Sequence, residues 1–297
     1  MTGSTGLTFW ALLAPLLRLW LYRAGFLGVA FAGVALVPTK PSTPGHLQLV
    51  NLRGFATGLL GGQTVAGLAM IIFVGELLDW QTHPVPTAVE AFAGTDWHFV
   101  LTNAFTEWGL ALAVLATVWT GYRTWTYIGV RRPTLSLPVT FMVVAAAYVI
   151  LRFILEPVSL GLWQWCLGLI AGHFGQHGNA VDMLKVEAWM ARETFNQVGM
   201  VGRILIALWL GILVPAIEEV FFRGLLLTAL LERVSTWLAL TGQALVFALL
   251  HVDLVRLPYL LVFGLMLGYL AKRTSSLLPP VLLHILVNII AAVTAMA

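Results

Sequence analysis

The sequence predicts an all-α polytopic membrane protein, a transmembrane helical bundle of about eight spans. Three observations carry that reading. Of 297 residues, 60% are hydrophobic and only 10% charged, with a mean hydropathy of +0.92, whereas a folded surface in water needs roughly 25% charged side chains. The apolar residues come in unbroken runs of Leu, Ala, Val and Gly. Alternation with period two, the mark of an outer-membrane barrel, is missing, so the spanning elements are helices. The single cysteine, Cys166, excludes an internal disulfide scaffold and reads as a small buried hydrophobe.

The spans follow in order. Thr8 to Val37 is apolar but carries Arg18 and Arg23. It reads as a retained first span, or an interfacial helix followed by a span, in preference to a removable signal peptide. Clearer spans are expected at Gly54 to Leu78, Phe99 to Tyr122 and Ser136 to Leu155, with a shorter apolar piece at Ser159 to Ala171. The second half holds Val201 to Leu231, Thr236 to His251, Leu257 to Ala271 and Leu277 to Met296. Prolines 38, 41, 44, 84, 86 and 133 mark connecting loops. His173 to Met200 is the longest polar stretch and has the pattern of an amphipathic helix on the bilayer surface. The division expected is an N-terminal transmembrane region, residues 1–200, and a transmembrane core, residues 201–297.

Charge sets topology. Arg123, Arg131 and Arg132 share one loop, Lys272 and Arg273 another, and Arg233 a third, while Asp79 to Trp97 carries acids without a base. The positive-inside tendency puts the first three in the cytoplasm and the last outside. The basic residues are too few and scattered for nucleic acid; the partner expected is the lipid bilayer. The absence of lysine-rich tails and the compact chain suit a prokaryotic plasma (inner) membrane. Tryptophans near the span ends form the ordinary interfacial belt. The pair Gly264 and Gly268 has the spacing that lets helices approach, read here as internal packing.

An ionisable side chain at mid-bilayer costs at least about 2.5–3.5 kcal/mol on insertion scales, so a chain keeps several only when they are paired or used. Glu218 and Glu219 lie 15 and 16 residues beyond Arg203 in an apolar stretch, roughly 22 Å along a helix. Glu219 and Arg223 are four apart and can pair. Glu218 points about 100° away and is left over, as a general base requires. His251 ends the next span. In the last one, His284 and Asn288 share a face. Two carboxylates, two imidazoles and an amide thus converge from three hydrophobic regions.

Glu107 and Arg152 lie in two earlier spans, and a structural ion pair between them is expected. His173 and His177, four apart among three glycines, read as loop residues and not as a metal site. No phosphate loop or dinucleotide fingerprint is present.

Glu218-Glu219-x-x-x-Arg223, Phe247-x-x-x-His251 and His284-x-x-x-Asn288, in that order over about Val201 to Ala291, resemble the three motifs of the CAAX prenyl protease and bacteriocin-processing (CPBP, ABI) family of glutamate-type intramembrane endopeptidases. The resemblance implies a bundle enclosing a hydrated intramembrane cavity and hydrolysis of peptide bonds at the membrane. It implies that Glu218 and His251 activate a water, that an uncharged His284 and Asn288 form an oxyanion hole, and that Glu219, Arg223 and Phe247 support them. The substrates implied are membrane-anchored or lipid-modified peptides or proteins.

Cofactors are not expected. Two carboxylates and two imidazoles could hold zinc, but Glu219 is better used on Arg223 and no His-Glu-x-x-His pair exists. The alternatives in function are a non-catalytic scaffold or immunity protein of the same family, or a proton-coupled secondary transporter.

Overall fold

In a computed structural model of the chain, residues 128–174 and 200–296 are described, apart from 252, 254 and 255, together with 192 and 195. The expected spans before Ser136, the acidic loop from Asp79 to Trp97, Arg123, Glu107, His177 and nearly all of the expected surface helix lie outside the described residues. Among the described residues every regular element is helical and there is no strand.

The first helix runs through α1 (Leu137–Ile150), a π-helical turn π1 (Leu151–Leu155) and α2 (Glu156–Phe174). Ser136 to Leu155 and Ser159 to Ala171 are therefore not separate elements. Glu156-Pro157 reads as a break in sequence, but the wide π-turn ahead of it admits the ring and the helix continues. It also continues over His173, which the glycines around it had suggested was in a loop.

The second rod comprises α3 (Met200–Leu208), π2 (Trp209–Leu213), α4 (Val214–Glu219), π3 (Val220–Leu226) and α5 (Leu227–Leu231). After a short turn capped by Ser235 come α6 (Thr236–Leu250), α7 (Leu257–Thr274) and α8 (Leu278–Met296). Pro138, Pro258 and Pro279 each sit in a first turn, where the fixed φ favours helix and the missing N–H has no intrahelical use. These boundaries reproduce the last four expected spans to within a few residues.

Among the described residues three helices are long and apolar enough to cross a membrane: Leu137–Cys166, Met200–Leu231 and Leu278–Met296; α6 is apolar but shorter. Their outward faces carry Phe153, Met142, Leu162, Leu205 and Trp237, all more than half exposed. Such a surface belongs in hydrocarbon. Cys166 is a free, half-buried thiol.

The core is aromatic and small-residue by turns. Phe221, Phe222 and Phe247 are fully buried, and α6 packs on α7 where Gly264 faces Ala244 and Gly268 faces Gln243. A Cβ on Gly264 would lie 3.1 Å from the Ala244 Cα. The two glycines are thus used for internal packing, as their spacing predicts. Helix α8 lies against α1, α4 and α7.

At one end of the bundle the segment before α1 is tied to the turn between α7 and α8. Leu277 N–H donates to the Gly129 carbonyl (2.8 Å), Thr134 N–H to that of Thr274 (3.2 Å), and Ser276 Oγ to that of Arg131 (2.5 Å). Gly129 at φ +92° and Ser275 at φ 52° make the two bends possible. Arg131 and Arg132 are thereby brought to the same end as Lys272 and Arg273, the grouping that loop charge predicts.

Candidate active site

Glu219 is the centre of the buried polar set. Its Oε1 accepts from Arg223 Nη1 at 2.7 Å, with both side chains fully buried, and also from His284 Nδ1 at 2.8 Å. The i,i+4 pair expected from sequence is present, and it has a third member from α8. Arg223 lies with Cζ 4.5 Å from the centroid of the Phe247 ring, a cation–π contact in a desolvated setting. Its Nη2 reaches the Gly264 carbonyl at 3.4 Å, which also accepts from Gln243 Nε2 at 2.8 Å. Gln243 was passed over in the sequence. A fully buried amide in an apolar helix was the signal that could have found it.

Glu218 is not left over. Its Oε2 is 3.7 Å from His284 Nε2, so the imidazole lies between the two carboxylates, one on each nitrogen. The longer of these exceeds hydrogen-bond length. Because the Glu219 carboxylate can only accept, Nδ1 of His284 carries a proton. A neutral ring would then hold only a lone pair at Nε2. The expected oxyanion donor role of an uncharged His284 does not fit this bond; donation from Nε2 requires a proton on both nitrogens.

His251 caps α6 at its C-terminus and is exposed. Its Nδ1 lies 2.8 Å from the Phe247 carbonyl, which fixes the proton on that nitrogen and leaves Nε2 as an acceptor in the neutral ring. Phe247 relates the two histidines, its ring centroid being 4.5 Å from that of His251 and 5.9 Å from that of His284. This is why the motif residue four positions ahead of His251 matters physically: it is the floor on which both imidazoles and the guanidinium rest.

Asn288, half-buried one turn beyond His284, donates from Nδ2 to the Leu210 carbonyl at 3.0 Å. Arg152 pairs with Glu156 one turn on, at 2.7 Å; Glu107, the partner expected for it across spans, lies outside the described residues. Among the described residues no three of His, Cys, Asp and Glu are gathered as a metal site would need.

Residues 200–290 match the family model for type II CAAX prenyl endopeptidases, Rce1-like. The resemblance read from three motifs is thus found again in a match over the whole of that region. The family is a protease family, and with three membrane-span candidates in the described residues the protein is an integral membrane protein. No curated protein and no solved structure matches the chain.

Proposed function

We propose that the protein is an intramembrane endopeptidase that hydrolyses peptide bonds of membrane-anchored or lipid-modified substrates without a metal. Residues 201–297 form the catalytic core in this reading. The observation that carries it is the placement of His284 between Glu218 and Glu219, at 3.7 and 2.8 Å, within the segment that matches a protease family.

Amide hydrolysis needs a base for water, a donor for the oxyanion and a proton for the leaving amine. Glu218 takes the water's proton, assisted by the Nε2 lone pair of His251, and the hydroxide attacks the carbonyl carbon. Nε2–H of a doubly protonated His284 and one Nδ2–H of Asn288 donate to the oxygen that becomes negative. When the tetrahedral carbon collapses, the C–N bond breaks and Glu218 returns the proton to the amine. Glu219 and Arg223 hold His284 in place, with charges that compensate in a site of low dielectric: two carboxylates face one guanidinium and one imidazolium.

The test is cleavage of peptides with a lipid-modified C-terminus by purified protein in lipid vesicles, with Glu218→Gln and His251→Ala alongside. Loss of cleavage in both, with folding kept, is expected. Equal cleavage by wild type and Glu218→Gln defeats the reading, as does activity that appears only when zinc is restored to chelator-washed protein.

A further inference from the structure

Asn288 donates to a carbonyl that an ordinary helix would not offer. In π2 the Val214 N–H bonds the Trp209 carbonyl, five residues back. In an α-helix the same N–H would have served Leu210. The next residue in the π register, the one that would donate to Leu210, is Pro215, which has no N–H. The Leu210 carbonyl is therefore stripped of both main-chain donors, and the side chain of Asn288 takes their place at 3.0 Å. A second feature admits it. A Cβ on Gly211 would run into the Cδ1 end of the Ile289 side chain, with the Ile289 Cα in ordinary contact at 3.6 Å, so α8 comes near beside Asn288 and a larger residue at 211 would have to displace Ile289.

We propose that Pro215 and Gly211 are positioning residues for Asn288, which together make the Leu210 carbonyl a fixed acceptor for its carboxamide. With one Nδ2 hydrogen on Leu210, the amide cannot flip, since its oxygen would then face another oxygen. The second hydrogen on Nδ2 is the one left for a substrate. The inference rests on the reading of Asn288 as an oxyanion donor. A control lies in the same chain: π1 is followed by Glu156 and Pro157 in the same register, the Glu156 N–H reaching back to Leu151, at a place outside the polar set.

The test compares wild type, Pro215→Ala, Asn288→Ala, their double variant and Pro157→Ala in lipid vesicles. Alanine at 215 restores an N–H that can bond Leu210. It is a good helix former, so thermal stability should be kept or raised. Expected is a fall in kcat of roughly 10- to 100-fold at constant KM, the effect of a small misplacement of a reacting group, with Pro157→Ala unchanged. In the Asn288→Ala background the Pro215 change should cost nothing further, because both act through one group. Losses that multiply, or an unchanged Pro215→Ala, overturn the proposal.

Side-chain amide signals of [15N]asparagine-labelled protein judge the seat without turnover. The Asn288 pair should be protected from exchange in wild type and lose that protection in Pro215→Ala; identical signals overturn the proposal. An Asn288→Ala variant with wild-type turnover defeats the oxyanion reading alone, and the amide signals then still decide whether Pro215 holds the side chain.

Discussion

Two tiers of polar residues lie side by side in the bundle and obey different physics. The inner tier, Glu219, Arg223 and His284, is buried and mutually bonded at 2.7 and 2.8 Å, with the aromatic face of Phe247 against the guanidinium. The outer tier is looser: Glu218 stands 3.7 Å from His284, His251 is exposed and Asn288 half-buried, and each ring or amide is tied to backbone on one side only. The lesson is that neighbours in sequence, Glu218 and Glu219, divide the labour. Glu219 closes a charge network that lipid would otherwise penalise; Glu218, in the proposed mechanism, is the carboxylate kept for chemistry.

That contrast can be broken experimentally. The largest effect is expected from Glu218→Gln, which removes the base while keeping shape: cleavage should fall by about 10³- to 10⁴-fold, the upper part of the range for general acid–base catalysis, with an unaltered melting curve. A melting curve that drops instead would move Glu218 into the structural tier. Arg223→Leu should do the reverse. It strands a buried carboxylate and should cost roughly 3–5 kcal/mol of stability, of which the double variant Glu219→Leu/Arg223→Leu recovers much; equilibrium unfolding in detergent measures both, and equal stability of the single and double variants contradicts the pairing.

Smaller effects sharpen the boundary. Gly268→Ala puts a methyl 2.5 Å from Gln243 Nε2 and should cost about 1–3 kcal/mol by overpacking, read as a lowered unfolding midpoint with modest loss of turnover. Smallest of all, Arg152→Gln breaks the half-exposed pair with Glu156 and should change stability by less than about 1 kcal/mol. A loss of cleavage there, measured on the same peptides, would extend the functional tier to π1 and α2.

The spans of the second half were legible because burying an apolar run in lipid leaves the backbone no choice but helix; Val201 to Leu231 and Leu277 to Met296 needed no tertiary knowledge. The Glu219–Arg223 pair was legible for a similar reason, being fixed by helical spacing alone. The continuity of Leu137 to Phe174 was not, since a proline reads as a break and only the π-turn ahead of it absorbs the ring.

Sequence by itself determined that this chain spans a membrane, that a small set of ionisable groups sits within three apolar regions, and which of them share a helical face. These follow from composition and from period, both local. Tertiary structure alone decided that His284 stands between both carboxylates, that its Nδ1 is committed to Glu219, that Phe247 supports two imidazoles, and that Asn288 meets the Leu210 carbonyl. Each of these joins residues tens of positions apart, and their meeting depends on how closely glycines let the helices approach and on where the π-turns rotate them, quantities that no local pattern carries.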